Sequence, residues 1–215
     1  SDPYQHVSRP AETPQAVPET AAKGLAKPRV IALIACSANK GKEPAPAKDL
    51  YQGDLFKKTQ EVAQRFADDY YILSAKHGLV SPDTVLEPYD QKMKRGGDYA
   101  WGGRVMESLG ELPPGSTVMI LAPNDYVNSF LTELDRQDIY VFRPLEGLGI
   151  GQQKARLNAM LAAPSVPIGR GDNGEILRLH PKDLPPRTEP SKIRMTVYDG
   201  SVTTNKTFNL SLIHI

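Results

Sequence analysis

Val30-Ile31-Ala32-Leu33-Ile34-Ala35-Cys36-Ser37-Ala38-Asn39-Lys40 begins with six consecutive apolar residues and then breaks into a polar cluster. An unbroken apolar run of this length suits a parallel strand buried on both faces. The arrangement recurs three times. Residues 70–73 lead into Ser74-Ala75-Lys76-His77-Gly78, and residues 118–121 into Ala122-Pro123-Asn124-Asp125-Tyr126. Residues 139–142, followed by Arg143, lead into Pro144-Leu145-Glu146-Gly147-Leu148-Gly149-Ile150-Gly151-Gln152-Gln153. If the four runs are neighbouring parallel strands, all four clusters open at one edge of the sheet. In open α/β sheets that carboxyl-terminal edge is where ligands bind.

Helix-spaced segments lie between the runs. Residues 54–67 set Leu55, Phe56, Val62, Ala63 and Phe66 on one stripe, with Asp54 as a cap. Further helices are expected over residues 98–109, 126–134 and 152–162. The alternation predicts an α/β fold: a three-layer αβα core over residues 29–163 with a mainly parallel sheet of about four or five strands. Pro44 and Pro46 are expected to exclude regular structure before Gly53, and residues 76–97, dense in Gly, Pro and Asp, receive no assignment. Residues 1–28 carry Pro3, Pro10, Pro14, Pro18 and Pro28 with few large apolar side chains, so they read as a disordered tail. Residues 176–179, 193–198 and 202–208, with Asp199-Gly200 as a hairpin turn, read as a small truncated β appendage over residues 164–209. The chain starts at Ser1 rather than Met, and Leu210-Ser211-Leu212-Ile213-His214-Ile215 resembles a translated sequencing adapter. Both ends are therefore expected to be non-native, and His214 carries no functional weight.

Composition narrows the function classes. The chain is 40% apolar and 24% charged with a formal charge of +1, ordinary values for a globular domain. Such a balance argues against coating nucleic acid by bulk electrostatics. It leaves room for a local basic mouth at Lys40, Lys42, Lys48, Lys76 and His77. There is no apolar run of the roughly 18–20 residues that span a bilayer, and the first thirty residues lack a signal pattern. With a single cysteine, the expectation is a cytoplasmic protein that does not engage membranes. That cysteine and the four histidines have no metal-ligand spacing, so no metal and no cofactor is expected.

The clusters offer specific chemistry. Cys36, at a strand end with Lys40 nearby, is a candidate nucleophile; the competing reading is a small buried hydrophobe. His77 titrates near neutrality and is the candidate base, with Asp83 or Asp90 to orient it or activate water. Ser37 and Lys40, and likewise Ser74 and Lys76, complement a phosphate or carboxylate, although the spacing is not that of a P-loop. Asn124 offers an amide edge and Tyr126 a stacking face for a base. Gly147, Gly149 and Gly151 precede Gln152 at a helix start, where close backbone approach and free N–H groups suit an anion. The alternative for each is structural: a capped turn, a helix start, a core tyrosine or a tight glycine turn.

Five ordered blocks carry a resemblance. They are Ala35-Cys36-Ser37-x-x-Lys40, Pro46-Ala47-x-x-Leu50-Tyr51-x-x-x-Leu55-Phe56, Ile72-Leu73-Ser74-Ala75-Lys76-His77-Gly78-Leu79-Val80, Pro88-Tyr89-Asp90 and Pro144-Leu145-x-Gly147-Leu148-Gly149-Ile150-Gly151. Together they resemble the domain-of-unknown-function 6884 family of bacteria and their phages, over about residues 29–163. More distantly, Leu73-Ser74-x-x-x-Gly78-Leu79 with Pro82-Asp83 and Pro88-Tyr89 is similar to the central signature of the peroxide stress protein YaaA group, which implies DNA binding. Ser81-Pro82-Asp83 and Pro88-Tyr89-Asp90 stand where that group has Pro-Leu-Asp and Pro-Tyr-Arg. The sequence also has no helix-hairpin-helix motif. Taken together, the residues lead to an expected enzyme acting on a nucleotide, nucleoside or nucleobase in nucleic acid, N-glycosidic cleavage being one such reaction. The alternative is a non-catalytic DNA- or nucleotide-binding stress or phage accessory module.

Overall fold

The computed structural model describes residues 26–182, together with the backbone of 195–199 and 207–208. Most of the expected tail, the Gly200 turn and the segment 210–215 lie outside the described residues.

Strand β1 (Val30–Ala35) sits at the centre of the main sheet. In chain order the other elements are β2 (Ala45–Pro46), α1 (Ala47–Leu50), α2 (Asp54–Phe66), β3 (Asp69–Ser74), β4 (Gly78–Val80), β5 (Val85–Leu86) and α3 (Tyr99–Leu109). They continue with β6 (Thr117–Leu121), α4 (Asn124–Val127), α5 (Leu131–Leu134), β7 (Tyr140–Phe142), α6 (Ile150–Ala162), β8 (Val166–Arg170), β9 (Glu175–Leu179), β10 (Met195–Asp199) and β11 (Thr207–Phe208). The sheet order is β11-β7-β6-β1-β3-β4, parallel except for β4, which runs antiparallel to β3 at one edge. This is the expected α/β fold with a mainly parallel sheet.

Side chains alternate across each strand, and this divides the core in two. Val30, Ala32 and Ile34 of β1 pack with Met119, Phe142 and the buried stripe of α2 (Phe56, Val62, Ala63, Phe66), along with Leu157 and Met160 of α6. Ile31 and Leu33 point to the other face and meet Trp101 and Val105 of α3, Val127 and Leu134. After β1 the chain crosses to β3; later it returns on the far side of β1 as β6. The order therefore reverses beside β1, at the kind of crevice where doubly wound sheets bind ligands.

Several local expectations change. Gly53, not Asp54, is the cap of α2, and Asp54 is its first residue. The segment around Pro46 forms a two-residue bridge to β5 and one turn of helix, with the fixed φ of Pro46 starting α1. The helix expected over residues 126–134 is two short pieces. Ser129 interrupts it: its hydroxyl donates to the Asp125 carbonyl and accepts the Asp98 N–H, a back-bonding pattern that competes with helix. The backbone of α3 also presses against this interruption, for a β-carbon on Gly102 would overlap the Ser129 carbonyl. Strand β8 was unforeseen because it contains Pro167 and Gly169, which sit at a register shift opposite β9. Val166, Ile168, Leu177 and Leu179 of this hairpin join the α2–α6 core.

Candidate functional site

The site grows from the loop after β1. Ser37 Oγ accepts the Asn39 N–H at 3.2 Å and the Gly53 N–H at 3.1 Å, tying the strand exit to the start of α2. The two arms of the loop then pair: Gln52 N donates to Asn39 O at 2.8 Å, Gly41 N donates to Leu50 O at 2.9 Å, and Lys40 bridges Tyr51 in antiparallel sense. That pairing carries Lys40 to the buried Tyr51.

Tyr89 arrives from the segment after β5 and joins two hydroxyls. Its Oη lies 2.6 Å from Tyr51 Oη and 2.7 Å from Ser74 Oγ. Ser74 is fully buried at the end of β3, and its Oγ also accepts the His77 N–H at 3.0 Å, closing the β3–β4 turn. The Trp101 indole donates to the Ser74 carbonyl at 2.9 Å, pinning α3 to the same strand end. Around the Tyr89 ring stand three basic groups. Lys40 Nζ is 4.3 Å from the ring centroid, Lys76 Nζ is 5.8 Å from it, and the His77 ring meets it edge-on at 5.3 Å. Among the described residues, neither lysine has a carboxylate partner.

At the neighbouring strand ends, Cys36 Sγ lies 3.3 Å from Tyr126 Oη, joining the exits of β1 and β6. Trp101 holds the Tyr126 ring in a T-shaped contact. Burial pushes the Tyr89 and Tyr126 phenols well above the ordinary tyrosine range. Burial raises Tyr51 as well, opposed by its hydrogen bond with Tyr89 and by the proximity of the Ser74 hydroxyl. Partial desolvation, and then the charge of Lys76, lower His77 below its ordinary value, which favours the neutral imidazole.

The exit of β7 joins through Arg143, whose side chain is buried. Its guanidinium donates to Asn124 Oδ1 at 2.8 Å and to Glu146 Oε1 at 3.0 Å. The acceptor end of Asn124 is thereby used, and its NH2 is the end left for a ligand. In the glycine block, only Gly147 has a backbone that demands glycine, with φ +74°. Gly149 N donates to Gln152 Oε1 at 3.2 Å, and no atom crowds the β-carbon positions of Gly149 or Gly151.

Of the residues singled out in the sequence, Cys36 and Tyr126 meet, Asn124 is tied to Arg143, and Lys40, Ser74, Lys76 and His77 surround Tyr89. Ser37 and Ser74 serve this site by holding its loops. Asp83 lies apart, with an 80% exposed side chain paired to Lys48 at 2.8 Å. Asp90 is exposed, and among the described residues neither carboxylate contacts His77. Sequence reasoning missed Tyr51, Tyr89 and Arg143. Both tyrosines stand in blocks that carried the family resemblance, and Arg143 directly follows an apolar run. Among the described residues no cluster of His, Cys, Asp or Glu could hold a metal ion, and no helix is long and apolar enough to cross a membrane.

The model of a family of unknown function, DUF6884, matches residues 31–159. That span takes in every element from β1 to most of α6, and with them the whole constellation around Tyr89 and Cys36. No curated protein matches the chain.

Proposed function

The chain belongs to the DUF6884 family, and on that premise we propose that it is an enzyme acting on a nucleotide, nucleoside or nucleobase. The observation that carries this reading is the pair of ammonium groups, Lys40 and Lys76, which share the Tyr89 ring without a carboxylate to balance them. A cation–π contact contributes about 0.5–1 kcal/mol at sites open to solvent and neutralises neither charge. A phosphate would supply the missing counter-charge through charge-assisted hydrogen bonds. Tyr126 and the Asn124 amide, one crevice away, supply a ring and a donor for a base.

The reacting groups are His77, its neutral form favoured, and Cys36. One reaction open to them is hydrolysis at the N-glycosidic bond. Water adds at C1′, the base leaves with the bonding electrons and is protonated from solvent, and His77 takes the proton lost by water. Incubating the protein with nucleosides, nucleotides and modified oligonucleotides, and measuring free base by mass spectrometry, tests the reading. Base release that His77→Gln abolishes supports it; no release from any member of the panel refutes the glycosidic reaction.

A second reading, a non-catalytic nucleotide-binding module, is favoured by the remoteness of Asp83, which leaves His77 without a carboxylate to orient it. In that case nucleotide binding is unaffected by His77→Gln and no substrate turns over.

A further inference from the structure

The segment from Tyr89 to Asp98 is tied down at both ends. At one end Tyr89 Oη bonds Ser74 Oγ at 2.7 Å, and the Gln91 amide donates to the Ala75 carbonyl at 3.3 Å, both at the exit of β3. At the other, Gly96 N donates to Asp125 Oδ1 at 2.8 Å and Asp98 N to Ser129 Oγ at 2.9 Å, both beyond the exit of β6. Strands β3 and β6 flank β1, so their ends lie about 10 Å apart. Five residue steps, from Gln91 to Gly96, reach at most about 17 Å. The segment therefore runs as a strap from the exit of β3 to the loop beyond β6, past the end of β1 where Cys36 meets Tyr126. Gly96 and Gly97, at φ +83° and +108°, let it double back into α3.

The middle of the strap is basic. Lys92, Lys94 and Arg95 are all exposed. Lys94 is paired with Asp98 at 3.2 Å, while among the described residues Lys92 and Arg95 have no ion-pair partner. A chain of net charge +1 thus carries two exposed cations without an ion-pair partner among the described residues on the one segment that links the exits of β3 and β6. A mononucleotide needs only the phosphate site at Lys40 and Lys76. Further phosphates, at successive positions along a rim, belong to a strand.

We infer that the strap is a clamp for single-stranded nucleic acid, with Lys92 and Arg95 on the phosphates flanking the nucleotide that enters the crevice. The inference rests on the nucleotide reading of the site. A single strand is the suitable form, because a base inside a duplex cannot reach such a crevice without leaving its stack.

The test uses the full chain and the variant Lys92→Gln/Arg95→Gln, after equal melting temperatures show that both are folded. Binding of a fluorescent single-stranded oligodeoxynucleotide and of AMP is measured from about 50 to 200 mM salt. Each lost phosphate contact on a single strand reduces the log–log salt slope by about 0.7. Two contacts remove about 1.4, so over that salt range the parent should lose about sevenfold more affinity than the variant. AMP binding should be the same in both. An identical salt slope in parent and variant overturns the clamp, as does a polyglutamate peptide that competes as well as the oligonucleotide. The two readings fail separately. If AMP binds but the oligonucleotide gains nothing from Lys92 and Arg95, the clamp falls and the nucleotide site stands. If the oligonucleotide shows the slope difference and AMP binds to neither protein, the clamp stands and the mononucleotide site falls.

Discussion

Tyr89→Phe removes one oxygen from the middle of the hydroxyl cluster and leaves the ring in place. Two hydrogen bonds are lost, to Tyr51 at 2.6 Å and to Ser74 at 2.7 Å. Ser74 keeps the His77 N–H. Tyr51, only 1% exposed, is left with a buried hydroxyl, and an orphaned buried group costs about 1–3 kcal/mol. Ser74 lies close enough to act on the Tyr51 phenol, so the lower part of that range applies. With the Ser74 bond added, the expected loss is about 2 kcal/mol. At roughly 2–4 °C per kcal/mol for a domain of this size, the melting temperature falls by about 4–8 °C. Tyr51→Phe alone should cost about 1 kcal/mol, because Tyr89 keeps Ser74 as a partner. The double variant should be no less stable than Tyr89→Phe, since no orphan remains. The assay is urea denaturation of all four proteins as a double-mutant cycle. Costs that add to within about 0.5 kcal/mol would mean the two hydroxyls are independent, and the cluster as described would be wrong.

The remaining predictions concern the helices and the crevice. Gly102→Ala should destabilise the fold by about 1–3 kcal/mol, because its methyl group overlaps the Ser129 carbonyl; a melting temperature equal to the parent's would contradict that contact. The lowered folded-state pKa of His77 means the unfolded chain takes up the proton first as pH falls. Stability associated with His77 is therefore whole above about 6.5 and is lost as pH drops through the folded-state value. An NMR titration should find a midpoint below the free-histidine value, and Lys76→Gln should move it up; a midpoint at or above that value refutes the assignment. Because Cys36 is the single thiol, its alkylation by iodoacetamide reports on the crevice without ambiguity. Saturating AMP should slow that reaction, and an unchanged rate would separate Cys36 from the nucleotide site. Arg143→Lys should weaken AMP binding, since a lysine cannot hold Asn124 and Glu146 together with one planar fork; isothermal titration reads this directly, and unaltered affinity would remove Asn124 from the site.

What could be read in the sequence follows from how local each signal is. The apolar runs 30–35 and 118–121 fall on β1 and β6, because a continuous apolar run buried on both faces leaves little choice. The 126–134 helix was misjudged because its interruption at Ser129 depends on Asp98 and Gly102, which lie on another element. Pro167 hid β8 because a bulge that tolerates proline is defined by the partner strand. The arrival of Ser74, Lys76 and His77 at the ligand edge followed from strand order alone. Tyr51 and Tyr89 did not, since each reaches the edge from a loop whose path is set by backbone pairing: Lys40 with Tyr51, and Gln91 with Ala75.

The strap's anchors bear on how this protein can change. They run through main-chain atoms and through Tyr89, Gln91, Asp98, Asp125, Ser129 and the paired glycines, whereas positions 92, 93 and 95 make no hydrogen bond to the scaffold. Met93 packs against the core, but substitutions at the exposed Lys92 and Arg95 leave folding largely intact while rewriting what the strap meets. Selection, or a designer building a small library, can therefore retune partner choice there, much as hypervariable loops diversify on a fixed sandwich.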